Sequence, residues 1–103
     1  MHSPHFSVGS DSRGIMIKMN VKALDMTKAD EIKIAMRNAV EGQSADLSVD
    51  MATVEFVDSS GLGALVSVRK RLDQGKEMRL HNVSQNLAKL LALTKLDRVF
   101  SVH

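Results

Sequence analysis

The sequence predicts a single α/β domain, with about three or four helices packed on a mostly parallel sheet of about four or five strands. Three observations carry this. Segments of period two alternate with segments of helical period along the chain. The first two helical segments each close near a glycine. No repeat, linker or low-complexity tract interrupts the alternation, and 103 residues have room for one core.

Residues 1–13 contain Pro4, Gly9 and several serines among few apolar positions. They read as an N-terminal tail, with Phe6–Val8 a candidate edge strand, and the domain proper is expected over residues 14–103. From Gly14, Ile15, Ile17, Met19 and Val21 alternate with Met16, Lys18, Asn20 and Lys22, the pattern of a half-buried strand. Leu24-Asp25-Met26-Thr27 reads as a turn in which Asp25 or Thr27 caps the next helix. Ala29, Ile32, Ala35, Met36, Ala39 and Val40 recur at helical spacing, which predicts a helix over residues 28–41 that ends at Gly42.

Leu47, Val49 and Met51 alternate with Ser48 and Asp50 as a second strand, and Val54–Val57 continues as an extended piece. Leu62, Leu65, Val66, Val68 and Leu72 then line one side of a helix that closes near Gly75. Met78–His81 is a short strand. Val83, Leu87, Leu90 and Leu91 mark a third helix with Ser84 at its start. Val99-Phe100 is expected to end the chain as a strand or helical turn.

Composition narrows the function. The chain is 44% hydrophobic and 25% charged, ordinary for a folded protein. Its only aromatics are three Phe, so the core is aliphatic, with seven Met as gap fillers and little wall left for a deep catalytic pocket. Met16 and Met26, if exposed, would offer an adaptable docking patch. Zero cysteines exclude disulfides, thiolate metal sites and Cys nucleophiles. His2 and His5 lack a third metal ligand nearby, and His81 reads as a surface or edge residue.

The net charge is +2 with acids and bases interspersed. The one dense basic run, Arg69-Lys70-Arg71, reads as a solvated helix face that could also meet an acidic partner. Without aromatics beside it to stack bases, it argues against nucleic acid. No apolar run reaches the ~18 residues of a membrane span, and no signal-peptide core is present, so a cytoplasmic protein without membrane insertion is expected.

The information is concentrated in Asp58-Ser59-Ser60-Gly61-Leu62-Gly63, between the extended piece and the second helix. Unpaired N–H groups at a helix start favour an anion. Glycine in a first turn costs roughly 1 kcal/mol relative to Ala, so two of them require a reason beyond helix stability. Gly61 and Gly63 are expected to let a partner's backbone approach. The segment is neither a Gly-x-Ser-x-Gly nucleophile elbow nor a phosphate-binding loop. A phosphoacceptor at Ser59 or Ser60 suits it: phosphorylation would add about −1.5 to −2 charge at an exposed helix start. Plain N-capping would explain one hydroxyl, but neither the second nor both glycines.

Val54 through Leu65, and above all Asp58-Ser59-Ser60-Gly61-Leu62-Gly63, resembles the signature of STAS domains of the anti-sigma factor antagonist type. Leu24-Asp25 and the helix after it resemble the family's Leu-Asp turn and first helix, although Lys22 and Lys28 stand where the family often has Gly and Thr or Ser. The resemblance implies a STAS fold and a partner switch without enzyme activity or cofactor of its own. In the family, the unphosphorylated antagonist binds a serine-kinase anti-sigma factor of the histidine-kinase-like ATPase fold. That kinase, which brings the ATP and Mg²⁺, phosphorylates the serine after the Asp, here Ser59 rather than Ser60. A PP2C-type serine phosphatase restores it. The partner-binding residues implied are Asp58, Ser59, Ser60, Gly61, Leu62 and Gly63, with Asp25 and Thr27 on the neighbouring turn. The alternative is a constitutive STAS scaffold subunit of a lipid-transport or stress-signalling complex. A small-ligand sensor using the helix start is a third possibility.

Overall fold

The computed structural model describes residues 3–103, so His2 lies outside the described residues. The alternation read from Gly14 onward becomes strand β2 (Gly14–Met19), with Ile15, Ile17 and Met19 buried and Met16 and Lys18 exposed. A two-residue turn joins it to an antiparallel partner, β1 (Phe6–Asp11), whose only buried side chain is Phe6. The sheet therefore begins well before Gly14. After β2 come β3 (Ala23–Leu24), α1 (Ala29–Val40), β4 (Leu47–Asp50), β5 (Phe56–Val57) and α2 (Ser59–Arg71). The chain then runs through β6 (Met78–His81), α3 (Gln85–Leu93), a 3-10 turn at Leu96–Arg98 and β7 (Ser101–Val102).

The main sheet has the order β1-β2-β4-β6-β7, and the ladders β2–β4, β4–β6 and β6–β7 are all parallel. Register aligns Ile17, Val49 and Leu80 across its centre, each at most 1% exposed. One face is thus a continuous aliphatic layer. Ile32, Met36 and Val40 of α1, Leu62, Leu65 and Val68 of α2, and Leu87 and Leu91 of α3 share one core cluster with it. The opposite face carries Met16, Lys18, Ser48, Asp50, Arg79 and His81 and stays open.

Three local expectations change. Leu24 is a strand residue rather than part of a turn: β3 pairs in parallel with β5, Leu24 opposite Val57, and so ties the chain before α1 to the chain before α2. The last strand is Ser101–Val102, while Phe100, 2% exposed, turns inward to close the core beside it. Lys28 occupies the N-cap of α1 with no side-chain bond, because an ammonium has nothing to accept with. Neither Asp25 nor Thr27 caps that helix through its side chain. The Asp25 backbone carbonyl instead accepts from the Lys28 and Ala29 N–H groups at 3.0 and 2.8 Å.

Carboxylates pin several chain crossings. Asp46 accepts from the Glu77 N–H, which chiefly holds its carboxyl below the usual range, and pairs with Arg79 at 3.1 Å. Asp50 is held low first by the Asn82 amide, and Asp25 first by the Thr27 hydroxyl. A carboxyl with a depressed folded pKa contributes stability above its unfolded value near 3.9 and loses it as pH falls through the folded value. Urea midpoints should therefore hold steady from neutral pH to about pH 5 and decline progressively below pH 4. A midpoint that rises on acidification would contradict this.

Candidate functional site

β5 delivers the chain in extended form to Asp58 (φ −93°, ψ −175°), the N-cap of α2. Both of its carboxylate oxygens are engaged. Oδ1 accepts from the Gly61 N–H at 2.8 Å, and Oδ2 accepts from the Met26 N–H at 2.9 Å. The Asp58 N–H donates to the Leu24 carbonyl at 3.2 Å. Asp58 thus caps α2 and staples the β3–α1 turn to the helix start. The cap is this carboxylate, not a serine hydroxyl. Ser59 and Ser60 are both exposed, and neither hydroxyl makes a hydrogen bond among the described residues.

The two glycines differ in purpose. A Cβ on Gly61 would lie 2.0 Å from the Leu24 carbonyl oxygen, so the close approach it permits is that of the protein's own β3 strand. Gly61 is buried and gives no clearance to a partner. A Cβ on Gly63 would meet nothing within 4 Å, so Gly63 alone is a bare, outward stretch of helix. Leu62, at 8% exposure, belongs mainly to the core.

Two shallow depressions flank Gly63. One, of about 450 Å³, is lined by Ser59, Leu62, Gly63, Val66, Ser67, Lys70 and Leu96. The other, of about 420 Å³, is lined by Met26, Ala29, Asp30, Lys33, Ser60, Gly63, Ala64 and Ser67. Ser59 opens on the first and Ser60 on the second, with Gly63 and Ser67 on the ridge between them. The sequence reading missed this extension along the helix, although Ser59, Gly63, Val66, Ser67 and Lys70 fall at one helical face's spacing.

Asp25 and Thr27 sit on the adjoining turn but spend their polar groups on each other: Asp25 Oδ1 accepts from the Thr27 N–H at 3.1 Å, from its hydroxyl, and from Lys28 Nζ at 3.3 Å. What that rigid turn displays is Met26, 75% exposed. Met16, also exposed, lies on the open sheet face, in a separate depression with Asp46, Arg79 and His81, so the two methionines form no common patch. The basic run is split up. Arg69 donates to the Val99 carbonyl, Arg71 faces Glu41 at 3.8 Å, and Lys70 alone lines the groove beside Ser59.

Among the described residues, no histidine lines either depression. His5 lies 3.3 Å from Glu31, and His81 stacks on His103 at 5.1 Å. A Ser–His pair for nucleophilic chemistry is not assembled at the signature among the described residues. Among the described residues no group of three His, Cys, Asp or Glu is placed to hold a metal ion, and no helix is long and apolar enough to cross a membrane. The arrangement can present a hydroxyl on a rigid, anion-tolerant helix start beside contoured surface.

Asp58→Ala removes the cap and the staple together. It should cost about 1–2 kcal/mol of stability by urea unfolding, while Asp58→Asn, which keeps one acceptor, should cost less. Equal losses for the two variants would contradict the double-acceptor role.

Comparison with known proteins bears on this site. The family profile described as "STAS domain" matches residues 11–103. The chain is 26% identical over 93 residues to the Anti-sigma F factor antagonist of Paenibacillus polymyxa, spanning 88% of this chain and 80% of that relative. The solved structure of an anti-sigma-factor antagonist (STAS) domain protein from Planctomyces limnophilus superposes with a TM-score of 0.85 at 26% identity, over 95% of this chain and 87% of that one. The Bacillus cell fate determinant SpoIIAA in its phosphorylated form shares the fold, with a TM-score of 0.70 at 19% identity over 95% of this chain and 90% of that one.

Proposed function

Starting from the fact that this chain belongs to the STAS domain family, we propose that it is a phosphorylation-controlled partner-switching regulator with Ser59 as the phosphoacceptor. The unphosphorylated form binds a serine-kinase anti-sigma factor of the histidine-kinase-like ATPase fold, or a similar regulator, over the start of α2 and the turn that displays Met26. Phosphorylation of Ser59 by that kinase, with its own ATP and Mg²⁺, releases the complex. A PP2C-type phosphatase resets it.

The observation that carries this reading is the division of labour at the helix start. Asp58 takes over capping with one oxygen and holds the β3–α1 turn with the other, which leaves the exposed Ser59 hydroxyl with no structural duty. A phosphoryl group there would add about −1.5 to −2 charge at the favourable end of the helix dipole. The fold tolerates it, while a docked partner would meet an unmatched dianion. The relatives named as anti-sigma factor antagonists, and the phosphorylated form of SpoIIAA, support the same reading.

The test is capture from the source organism's lysate on immobilised wild type and Ser59→Glu, with retained proteins identified by mass spectrometry. Retention of a histidine-kinase-like ATPase by wild type alone is the expected result. Equal retention of the same partners by both would replace the switch with a constitutive scaffold role.

A further inference from the structure

β1 is the one long exposed edge among the described strands; the opposite edge, β7, is two residues long. Proteins usually guard such edges with Lys, Pro or a bulge. Phe6–Asp11 contains no Lys or Pro, and its one-to-one register with β2, from Phe6↔Met19 to Asp11↔Gly14, has no bulge.

The outward hydrogen-bonding groups can be assigned. The Asn20 N–H donates to the His5 carbonyl at 2.8 Å, which makes that pair a hydrogen-bonded one. Bonded and non-bonded pairs alternate in an antiparallel ladder, so Ser7, Gly9 and Asp11 direct their N–H and C=O groups at β2, while Phe6, Val8 and Ser10 direct theirs away. Phe6 is already met on its outer side by an antiparallel bridge to Ser3. Val8 and Ser10 remain, with both N–H and both C=O groups unpaired along the edge among the described residues.

We propose that this edge pairs with the same edge of a second copy, antiparallel about a two-fold axis through Gly9. In that register Val8 of each copy faces Ser10 of the other in a hydrogen-bonded pair, so the exposed donors and acceptors satisfy one another. Gly9 faces Gly9 at the close, non-bonded position, where strand Cα atoms approach to ~4.5 Å. No Cβ crowds that axis, and a Cβ built on Gly9 meets nothing within 4 Å in the single chain. Ser7 falls opposite Asp11, so the only charge in the strand meets a hydroxyl rather than another carboxylate. Val8, 47% exposed, is partly covered by the copy. The two five-stranded sheets become one continuous ten-stranded sheet. The short ladder makes this a weak association, half-complete at roughly 10 µM to 1 mM.

Sedimentation velocity from about 10 µM to 1 mM tests it. Wild type should shift from monomer to dimer over this range. Gly9→Lys places two ammonium groups face to face and should stay monomeric throughout, while its thermal midpoint and circular dichroism remain near wild type. Ser7→Asp sets a carboxylate opposite Asp11 of the other copy and should weaken the dimer about 2- to 30-fold over its two symmetric pairs. A wild type that stays monomeric at 1 mM overturns the proposal. So does a dimer that survives Gly9→Lys, which would place the interface elsewhere.

Discussion

Gly61→Ala should lower the thermal midpoint by roughly 10–20 °C, the largest stability effect expected of any single methyl group added at the signature. The new Cβ would sit 2.0 Å from the Leu24 carbonyl oxygen and 2.9 Å from the carbon bonded to it, and backbone cannot swing aside as a flexible side chain would. Relief requires α2 to move off β3, which strains the Asp58 bonds to Gly61 and Met26 as well. Overpacking of this kind costs about 1–3 kcal/mol or more, and each kcal/mol is about 4–8 °C in a domain of this size. Gly63→Ala, two residues on, should have the opposite sign, since an open helical site gains up to about 1 kcal/mol from the exchange. Thermal unfolding of the pair settles the matter: equal midpoints would mean that the Leu24–Gly61 seam is not tight.

The second large effect is on binding. Against the captured partner, Ser59→Glu should weaken the dissociation constant at least about 100-fold, because an unmatched charge at a docked surface costs several kcal/mol. Its thermal midpoint should stay near wild type, as an acid in the first turn suits the helix dipole. Ser59→Ala should bind like wild type and take up no phosphate. Calorimetric titration that finds Ser59→Glu within threefold of wild type would end the phosphoacceptor reading of this serine.

Much of this architecture can be read from the chain. The alternation at Ile15, Ile17 and Met19 and the helical spacing from Ala29 to Val40 encode local structure directly, since burial on one face leaves a periodic trace. Ser84 announces α3 by capping it, accepting from the Leu87 N–H at 3.1 Å. What escapes is set by distant partners. β3 and β5 are two residues each and exist because Leu24 meets Val57 across the fold, a pairing with no local signature. The same holds for the Asp58–Met26 bond, which spans 32 residues and gives an internal stapling role to a residue read from sequence as a partner contact. Gly61 was recognisable as special, but the reason lay in a backbone carbonyl that only the tertiary structure brings near. The site's exposed rim, by contrast, follows from helical spacing once Ser59 is fixed.

The strand order carries a consequence for how the molecule breathes. β4 is laddered on both sides, and its inward residues Leu47 and Val49 have no measurable exposure. β1 holds to the sheet through one ladder and a single buried side chain. Native-state amide exchange should therefore be graded across the sheet, with the Val49 amide released only by global unfolding and the β1 amides by a cheaper detachment of the hairpin arm. Within that arm of the monomer, at concentrations too low for the edge to pair with a second copy, Val8 and Ser10 should exchange almost as fast as an unstructured peptide, while Gly9 between them is retained longer. A labelling pulse would print the two sides of one strand as alternate fast and slow residues.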